Sequence, residues 1–194
     1  MTIISKTKFL EFKSTPSPSG NDWFYVKRTN DTNSHDSAVV ITTLVKINGT
    51  YNYLLLKTNR PPISAENKAK YCLESPAGLI GDINLQEDTI NCAKKELLEE
   101  AGLVADNVFI ELENSSTSAG LSCETLTYVT AIVNEYNLKQ EPVSDGGVII
   151  ERYLIPAQDI IKHLKSINVK ETSIAAATIC GIFYAQERLN SILH

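Results

Sequence analysis

The segment that most constrains the fold runs from residue 81 to residue 103 and reads GDINLQEDTINCAKKELLEEAGL. Residues 89–101 contain neither glycine nor proline, and apolar side chains recur there at helical spacing, at Ile90, Ala93, Leu97 and Ala101. One stripe of such a helix faces a core. Gly102 follows immediately, as is typical of the residue that ends a helix. The segment therefore predicts a loop that leads into an amphipathic helix over residues 89–101.

The same helix concentrates acidic side chains beside its apolar stripe. Residues three and four apart share a helix face, so Glu96, Glu99 and Glu100 fall within an arc of roughly 100°. Like charges at this spacing destabilise a helix by roughly 0.2–0.5 kcal/mol per pair, and Lys94 and Lys95 offset only part of that. For a helix judged by its glutamate content alone, a solvated acidic face is the commoner explanation. The spacing of the neighbouring residues favours the alternative, which is a bound cation.

That spacing matches a known motif. The segment resembles the Nudix box, which reads Gly, five residues, Glu, seven residues, then Arg-Glu-apolar-any-Glu-Glu-any-Gly-apolar. Gly81, Glu87 and Gly102 occupy their expected positions, and the single departure is Lys95, which stands where the family has arginine. A pattern with this many fixed positions is specific. The resemblance implies an α+β protein with the Nudix fold, which is an α/β/α sandwich with a mixed central sheet and an N-terminal hairpin.

The resemblance also implies a metal site. Carboxylate oxygens on one rigid face suit Mg²⁺ or Mn²⁺, hard cations that also bind phosphate oxygens. Carried over by position, Glu96 and Glu100 are metal ligands, the main-chain carbonyl of Ala77 supplies a further oxygen, and Glu99 lies close to the same ions. A cation held there neutralises phosphate charge and acidifies a bound water. The implied chemistry is hydrolysis of a nucleoside diphosphate linked to another group.

Length and composition fit one globular domain. The chain has 194 residues, 43% hydrophobic and 21% charged, so we expect a single domain over residues 1–194. The net charge of −5 argues against a nucleic-acid surface, which needs clustered Lys and Arg. The four cysteines are widely separated and predict reduced, mostly buried thiols. The N-terminus does not resemble a signal peptide and the longest apolar stretch is interrupted, so we expect a cytoplasmic protein without membrane contact.

Alternating and β-branched segments predict strands on both sides of the central helix. Residues 7–13 and 23–28 flank turn-rich sequence, so residues 1–35 are expected to hold a hairpin. The further predicted strands cover residues 38–45, 51–56, 71–74, 108–112, 125–133 and 148–155. Residues 63–70 are predicted to be a polar loop, and helices are predicted over residues 156–167 and 171–193. This order fits helices layered on a mixed sheet.

The flanks of the box narrow the resemblance to one branch of the family. Residues 71–80 (YCLESPAGLI), 57–62 (KTNRPP) and 23–29 (WFYVKRT) are similar to segments of ADP-ribose and ADP-sugar pyrophosphatases, in family order and spacing. The likeness covers residues 7–167. It implies that Arg60 contacts the diphosphate and that Leu79 touches the substrate. Without the resemblance, Arg60 fits a surface ion pair equally well.

The same resemblance assigns a nucleotide-binding role to the N-terminal hairpin. Trp23 is implied to stack on adenine with Arg28 beside the nucleotide, whereas an isolated tryptophan is ordinarily a core or interface residue. Phe9 matches a second aromatic that clamps adenine, and Ser118 stands where the relatives have aspartate in a substrate loop. In that branch the hairpin exchanges between subunits. The resemblance therefore implies a homodimer whose sites are completed by both chains.

A late loop departs from the family pattern. The glutamate proposed as general base in that branch aligns with Val148, so another acid is needed if a separate base acts. Asp145, Glu141 and Glu151 are the candidates. Asp145 is favoured because two glycines follow it and allow its backbone to move, whereas Glu151 on a predicted strand fits a structural acid equally well.

Three functions are compatible with the sequence. The first is metal-dependent hydrolysis of ADP-ribose, or a related ADP-sugar, to AMP and a sugar phosphate. The second keeps the metal site but takes another nucleoside diphosphate derivative, because Phe9, Ser118 and the late loop all differ at substrate positions. The third is a nucleotide-binding module without catalysis, motivated by Lys95 and the missing loop glutamate.

Overall fold

The computed structural model describes residues 1–29, 37–66, 68–81, 86–136 and 148–193. The strands in this part of the chain are β1 (Thr2–Lys6), β2 (Leu10–Pro16), β3 (Asp22–Arg28), β4 (Ser37–Ile47), β5 (Thr50–Asn59), β6 (Tyr71–Glu74), β7 (Ala77–Leu79), β8 (Asn107–Ser116), β9 (Thr125–Val133), β10 (Val148–Pro156) and β11 (Thr172–Ile174). The helices are α1 (Pro61–Ala65), α2 (Thr89–Ala101), α3 (Ile160–Ser166) and α4 (Ala176–Leu193), and a 3₁₀ turn (Ala157–Asp159) precedes α3.

The central sheet is mixed, as predicted. Its strands follow the order β11-β6-β5-β4-β9-β8, with β10 paired to β5 and β7 paired to β4. The pairs β4–β9 and β6–β11 are parallel, whereas β4–β5 and β8–β9 are antiparallel. The β4–β5 hairpin turns at Asn48 and Gly49, whose positive φ angles of 50° and 82° suit the tight turn that this dipeptide predicts.

Helices cover both faces of this sheet. On one face, Leu97 of α2 packs in a buried cluster with Ile41 and Leu54. On the other face, Ile182 of α4 and Ile160 of α3 belong to a second cluster that includes Leu55 and Tyr53. Successive side chains of a strand point to opposite faces, which explains how β5 supplies Leu54 to one cluster and Leu55 to the other. The arrangement confirms the predicted α/β/α sandwich.

Helix α2 has the predicted boundaries because its capping residues are encoded. The Asp88 carboxylate accepts a hydrogen bond from the backbone N–H of Asn91 at 2.8 Å, which satisfies a donor at the start of the helix. Gly102 adopts the left-handed conformation with φ of 71°, and its N–H bonds to carbonyls in the last turn. These caps set both ends of the helix that carries Glu96, Glu99 and Glu100, which form the acidic cluster.

Several predictions were wrong in detail. The predicted N-terminal hairpin is present as the antiparallel pair β2–β3, but β1 adds a third strand to it, and the first strand of the hairpin begins at Leu10 rather than at residue 7. The predicted loop over residues 63–70 overlaps helix α1, which starts at Pro61 because proline suits the first helical turn. The helix expected from residue 171 begins at Ala176, since β11 pairs with β6 instead.

The expectation for the cysteines was half right. Cys72 and Cys92 are buried, whereas Cys123 and Cys180 are exposed. Cys180 lies in α4 next to Gly181, and residues one position apart on a helix face different directions. Within the described part of the chain, no helix combines the length and apolarity that crossing a membrane would require.

Candidate metal and nucleotide site

The acidic cluster on α2 lies directly over the main chain of β7. The backbone N–H of Ala77 donates a hydrogen bond to Oε2 of Glu100 at 3.0 Å. The side chain of Glu96 lies against Gly78, where a Cβ atom would overlap its carboxylate. Only glycine leaves room for this contact. The structure thus brings together the three predicted metal ligands, Ala77, Glu96 and Glu100.

The electrostatic environment of Glu100 fits a cation. Burial raises the pKa of its carboxyl to about 7, the Ala77 hydrogen bond opposes this shift, and the negative charges of Glu96 and Glu74 add to it. Glu96 itself is only 6% exposed. One buried and one half-buried carboxylate repel each other at this distance, and a hard divalent cation relieves that repulsion. The donor set therefore fits Mg²⁺ or Mn²⁺.

The fit depends on the main chain as well as on side chains. Among the described residues, no three acidic, histidine or cysteine side chains converge closely enough to hold a metal by themselves. The predicted ligand set needs only two carboxylates, because a backbone carbonyl at Ala77 is the third donor. Hard cations accept carbonyl and carboxylate oxygens alike.

Lys95 links the loop to the helix at the position where the family has arginine. Its Nζ atom lies 3.2 Å from Oε1 of Glu96 and 3.5 Å from Oε2 of Glu87. Glu87 also accepts a hydrogen bond of 3.4 Å from the backbone N–H of Gly81. A single ammonium therefore contacts the carboxylates of Glu87 and Glu96, although it lacks the planar fork of arginine. Glu99 is half-buried on the same helix.

Arg60 is paired with an acid that the sequence did not single out. Its Nη2 and Nε atoms lie 2.7 and 2.8 Å from Oε1 of Glu74, and the Thr58 hydroxyl donates to the same oxygen at 2.7 Å. The ion pair expected from composition therefore exists. It is held beside the acidic cluster, since the charges of Glu74 and Arg60 both act on the pKa of Glu100. Glu74 lies within residues 71–80, so the flanking motif contained the signal.

Thr178 on α4 is a second residue that sequence reasoning missed. Its buried hydroxyl accepts a hydrogen bond from the backbone N–H of Ser75 at 2.8 Å. The carbonyl of Pro76, the next residue, accepts the N–H of Ile41 at 2.8 Å. These two bonds fix the chain immediately before Ala77. Nothing in the sequence of the C-terminal helix indicated this contact, because a threonine in a helix carries no partner in its pattern.

The predicted nucleotide residues meet at the loop between β8 and β9. The indole Nε1 of Trp23 donates to the carbonyl of Gly120 at 3.0 Å, and Nε of Arg28 pairs with Oε1 of Glu124 at 2.8 Å. Ser118 is in the same loop, and its carbonyl accepts the N–H groups of Leu121 and Ser122.

The remaining predicted site residues lie near the N-terminal sheet, near the acidic cluster, on β10, or outside the described residues. Phe9 is 69% exposed and its ring lies under the Lys8 ammonium. Leu79 ends β7, where its carbonyl accepts the Cys92 thiol, so it belongs with the acidic cluster. Asp145, the predicted base, lies outside the described residues, as does Glu141. Glu151 is exposed on β10 and accepts the Tyr153 hydroxyl at 2.6 Å, which is consistent with a structural acid.

Comparisons with known proteins identify relatives of this chain by sequence. No model of a protein family matches the chain. An uncharacterised Nudix hydrolase of Schizosaccharomyces pombe is 30% identical over 155 residues, which cover 78% of this chain and 71% of that protein. An ADP-sugar pyrophosphatase of Mus musculus is 28% identical over 203 aligned residues, covering 97% of this chain and 86% of that protein.

A solved structure supports the same fold. The crystal structure of an ADP compounds hydrolase superposes with a TM-score of 0.66 at 17% identity, covering 98% of this chain and 91% of that one. At this identity the likeness speaks for the fold alone. The family is established by the yeast relative, and the predicted branch is supported by the mouse relative. The chain belongs to the Nudix hydrolase family.

Proposed function

We propose that this chain hydrolyses the diphosphate bond of ADP-ribose or a related ADP-sugar, releasing AMP and a sugar phosphate. The observation that carries the proposal is the convergence of Glu96 and Glu100 on the main chain of Ala77 and Gly78. We further propose that Mg²⁺ or Mn²⁺ is held by these two carboxylates and the Ala77 carbonyl, in a single Nudix domain over residues 1–194. When bound, the cation supplies charge neutralisation for the phosphates and a more acidic water.

Side chains of this chain are proposed to hold the metal ligands and the diphosphate in place. Glu96 and Glu100 hold their oxygens on one rigid helix, braced by Lys95 and by the Ala77 N–H. Arg60 presents further guanidinium donors to the diphosphate while Glu74 holds its Nε and Nη2 atoms. We propose that Glu99 lies close to the bound cation and that Asp145 takes the proton of the attacking water.

Substrate recognition is proposed for the hairpin and its loop. Trp23 and Phe9 each offer an exposed aromatic face for adenine, but they lie at opposite ends of the β2–β3 pair, so a shared adenine would be clamped by residues of two chains. Arg28 and Ser118 belong to the same proposed nucleotide site, and Leu79 is proposed to touch the substrate from β7. Phe12 and Phe24 stack on each other at 5.8 Å and are also exposed, which leaves an apolar surface on a small sheet. This surface supports the proposal of a homodimer. Light scattering that gives a monomer at micromolar concentration with full activity contradicts it.

A second candidate keeps the fold without the reaction. Lys95 replaces the family arginine and Val148 the family glutamate, so a nucleotide-binding module without hydrolysis is the alternative. Purified protein is incubated with Mg²⁺ and ADP-ribose, ADP-glucose, GDP-mannose or diadenosine polyphosphates, and the products are separated. Release of AMP from ADP-ribose or ADP-glucose supports the proposal. If the protein cleaves only one of the other compounds, that compound replaces the ADP-sugar as the proposed substrate. If a compound binds but all of them stay intact, the protein is a nucleotide-binding module without hydrolysis.

The proposed base has its own test. Asp145→Asn is expected to lower turnover more than Glu151→Gln or Glu141→Gln, with little change in substrate binding. A positioned base contributes about 10²–10⁴-fold, so the effect should be measurable across pH 6 to 9 at saturating Mg²⁺. Parent-like turnover of Asp145→Asn together with a loss in Glu151→Gln assigns the base to the strand.

A further inference from the structure

A cavity of about 530 Å³ adjoins Arg60, between helix α1 and the strands β6 and β11. Its floor contains Cys72 and Glu74 of β6 and Ser173 of β11, its wall contains Pro62 and Ile63 of helix α1, and Lys68 also lines it. The proposed hydrolysis of a diphosphate uses none of these residues except the Arg60–Glu74 pair. A cavity of this size accommodates a group larger than a pentose.

The floor of this cavity shares a face of the sheet with the acidic cluster. Leu73 packs in the cluster that contains Ile182 of α4. Because neighbouring residues of a strand point to opposite faces, Cys72 and Glu74 point to the α2 side, where Glu96 and Glu100 lie. Register pairs Ser173 with Cys72, so the floor continues onto β11 on that same side.

Strand order places the acidic cluster between two open regions. Ala77 lies on β7, which pairs with β4 near the middle of the sheet. Trp23 and Arg28 contact the loop that joins β8 to β9, at one edge of the order β11-β6-β5-β4-β9-β8. The cavity lies over β6 and β11 at the other edge. A diphosphate centred on the acidic cluster, with its base toward Trp23, directs its second substituent toward the cavity.

We propose that this cavity binds the group attached to the second phosphate, and that it selects groups larger than ribose that carry apolar surface. The inference rests on the proposed function. Pro62 and Ile63 supply apolar contact, and the Cys72 thiol and Ser173 hydroxyl supply hydrogen-bonding atoms on the floor. Glu74 and Arg60 balance each other's charge, and Lys68 adds a positive charge to the lining, so the charges of the cavity do not restrict the occupant to a neutral group. The preferred substrates are therefore nucleoside diphosphates whose second substituent is bulky and partly apolar.

The test compares two substrates that differ only at that end. ADP-ribose carries a single pentose, whereas NADH adds a neutral dihydronicotinamide ring to it. Ile63→Trp and Ser173→Leu fill the cavity from its wall and from its floor. Ile161→Trp is the matched control, because Ile161 is exposed on α3 at a separate surface. Folding of every variant is checked by circular dichroism, and kcat/KM is measured for both substrates.

We expect both filling variants to lower the ratio of kcat/KM for NADH over that for ADP-ribose by about tenfold or more. The control should leave the ratio unchanged. An unchanged ratio in both folded variants, or a parent protein that cleaves ADP-ribose but not NADH, overturns the assignment of the cavity alone. A parent protein that cleaves neither compound, with every other diphosphate also intact, overturns the proposed function itself.

Discussion

The acidic cluster and the hairpin surface are built in opposite ways. Glu96 is 6% exposed, and Glu100 is held by a backbone N–H of the strand beneath it. Trp23 is 51% exposed on β3 of the three-stranded N-terminal sheet, and Phe9 is 69% exposed in the turn between β1 and β2. The first region has its geometry fixed before any ligand arrives, which is what transition-state stabilisation needs. The second has aromatic surface still available for a nucleotide or a second subunit.

The largest effect should follow from altering the buried carboxylates. Glu96→Gln retains the shape of the side chain but removes its charge, so we expect turnover to fall by about 10²-fold or more, because the metal supplies several kcal/mol of transition-state stabilisation. Steady-state kinetics at limiting Mg²⁺ provides the measurement. The hairpin counterpart, Trp23→Ala, should leave turnover nearly intact. Near-normal turnover of Glu96→Gln would falsify its role as a ligand.

Stability without metal should depend on pH through Glu100. Its folded pKa of about 7 lies above the ordinary 4.5, so the folded state holds the proton more tightly and loses stability as pH rises through this window. The shift corresponds to a change on the order of 3 kcal/mol in the free energy of unfolding. We expect the metal-free protein to be less stable at pH 8 than at pH 5, with Mg²⁺ restoring stability at pH 8.

Urea unfolding in the presence of a chelator measures this difference, and Glu100→Gln is the control because it cannot titrate. The parent should lose stability between pH 5 and pH 8 relative to this variant. Parallel pH profiles for the two proteins contradict the assignment. The hairpin lies apart from Glu100, so deleting its aromatic side chains should not alter the profile.

The sequence predicted some parts of the region around the acidic cluster and missed others. The limits of α2 and the identity of its acids were predictable, because caps and periodicity are local properties of the chain. Thr178 was not, because its bond to Ser75 joins residues 103 positions apart and depends on how α4 docks. Glu74 was overlooked for a related reason, since its role becomes visible only when Arg60 is placed beside it. Tertiary contacts of this kind carry no periodic signature.

Gly78 offers a sharper test of the buried region. A Cβ atom at this position overlaps the Cγ, Cδ and Oε1 atoms of Glu96, so this buried side chain has to shift. We expect Gly78→Ala to lose about 1–3 kcal/mol of stability from overpacking, and its Mg²⁺ affinity and turnover to fall by about tenfold or more, because Glu96 is displaced. Calorimetric titration measures the affinity. Gly120→Ala is the matched control, since its Cβ would meet the Trp23 ring at an ordinary 3.7 Å.

A parent-like Mg²⁺ affinity in Gly78→Ala would show that Glu96 tolerates displacement, and the contrast between a fixed and an adaptable region would fail. If Gly120→Ala loses as much Mg²⁺ affinity as Gly78→Ala, the contrast also fails, because the loop beneath Trp23 would then be as constrained as β7.

The smallest expected effect concerns recognition by the hairpin. Trp23→Ala removes a stacking surface and should raise KM for ADP-ribose by roughly tenfold, since stacking of a base on an aromatic ring is worth about 1–3 kcal/mol. Turnover should change little, because the carboxylates are untouched. Phe24→Ala is the matched control. Phe24 is 50% exposed on the same strand, but it stacks on Phe12, and its side chain points to the opposite face.

If both variants raise KM equally, the hairpin acts through its fold or its association with a second chain. If Trp23→Ala lowers turnover with KM unchanged, the indole contributes to the reacting geometry, and the separation between chemistry and recognition is lost.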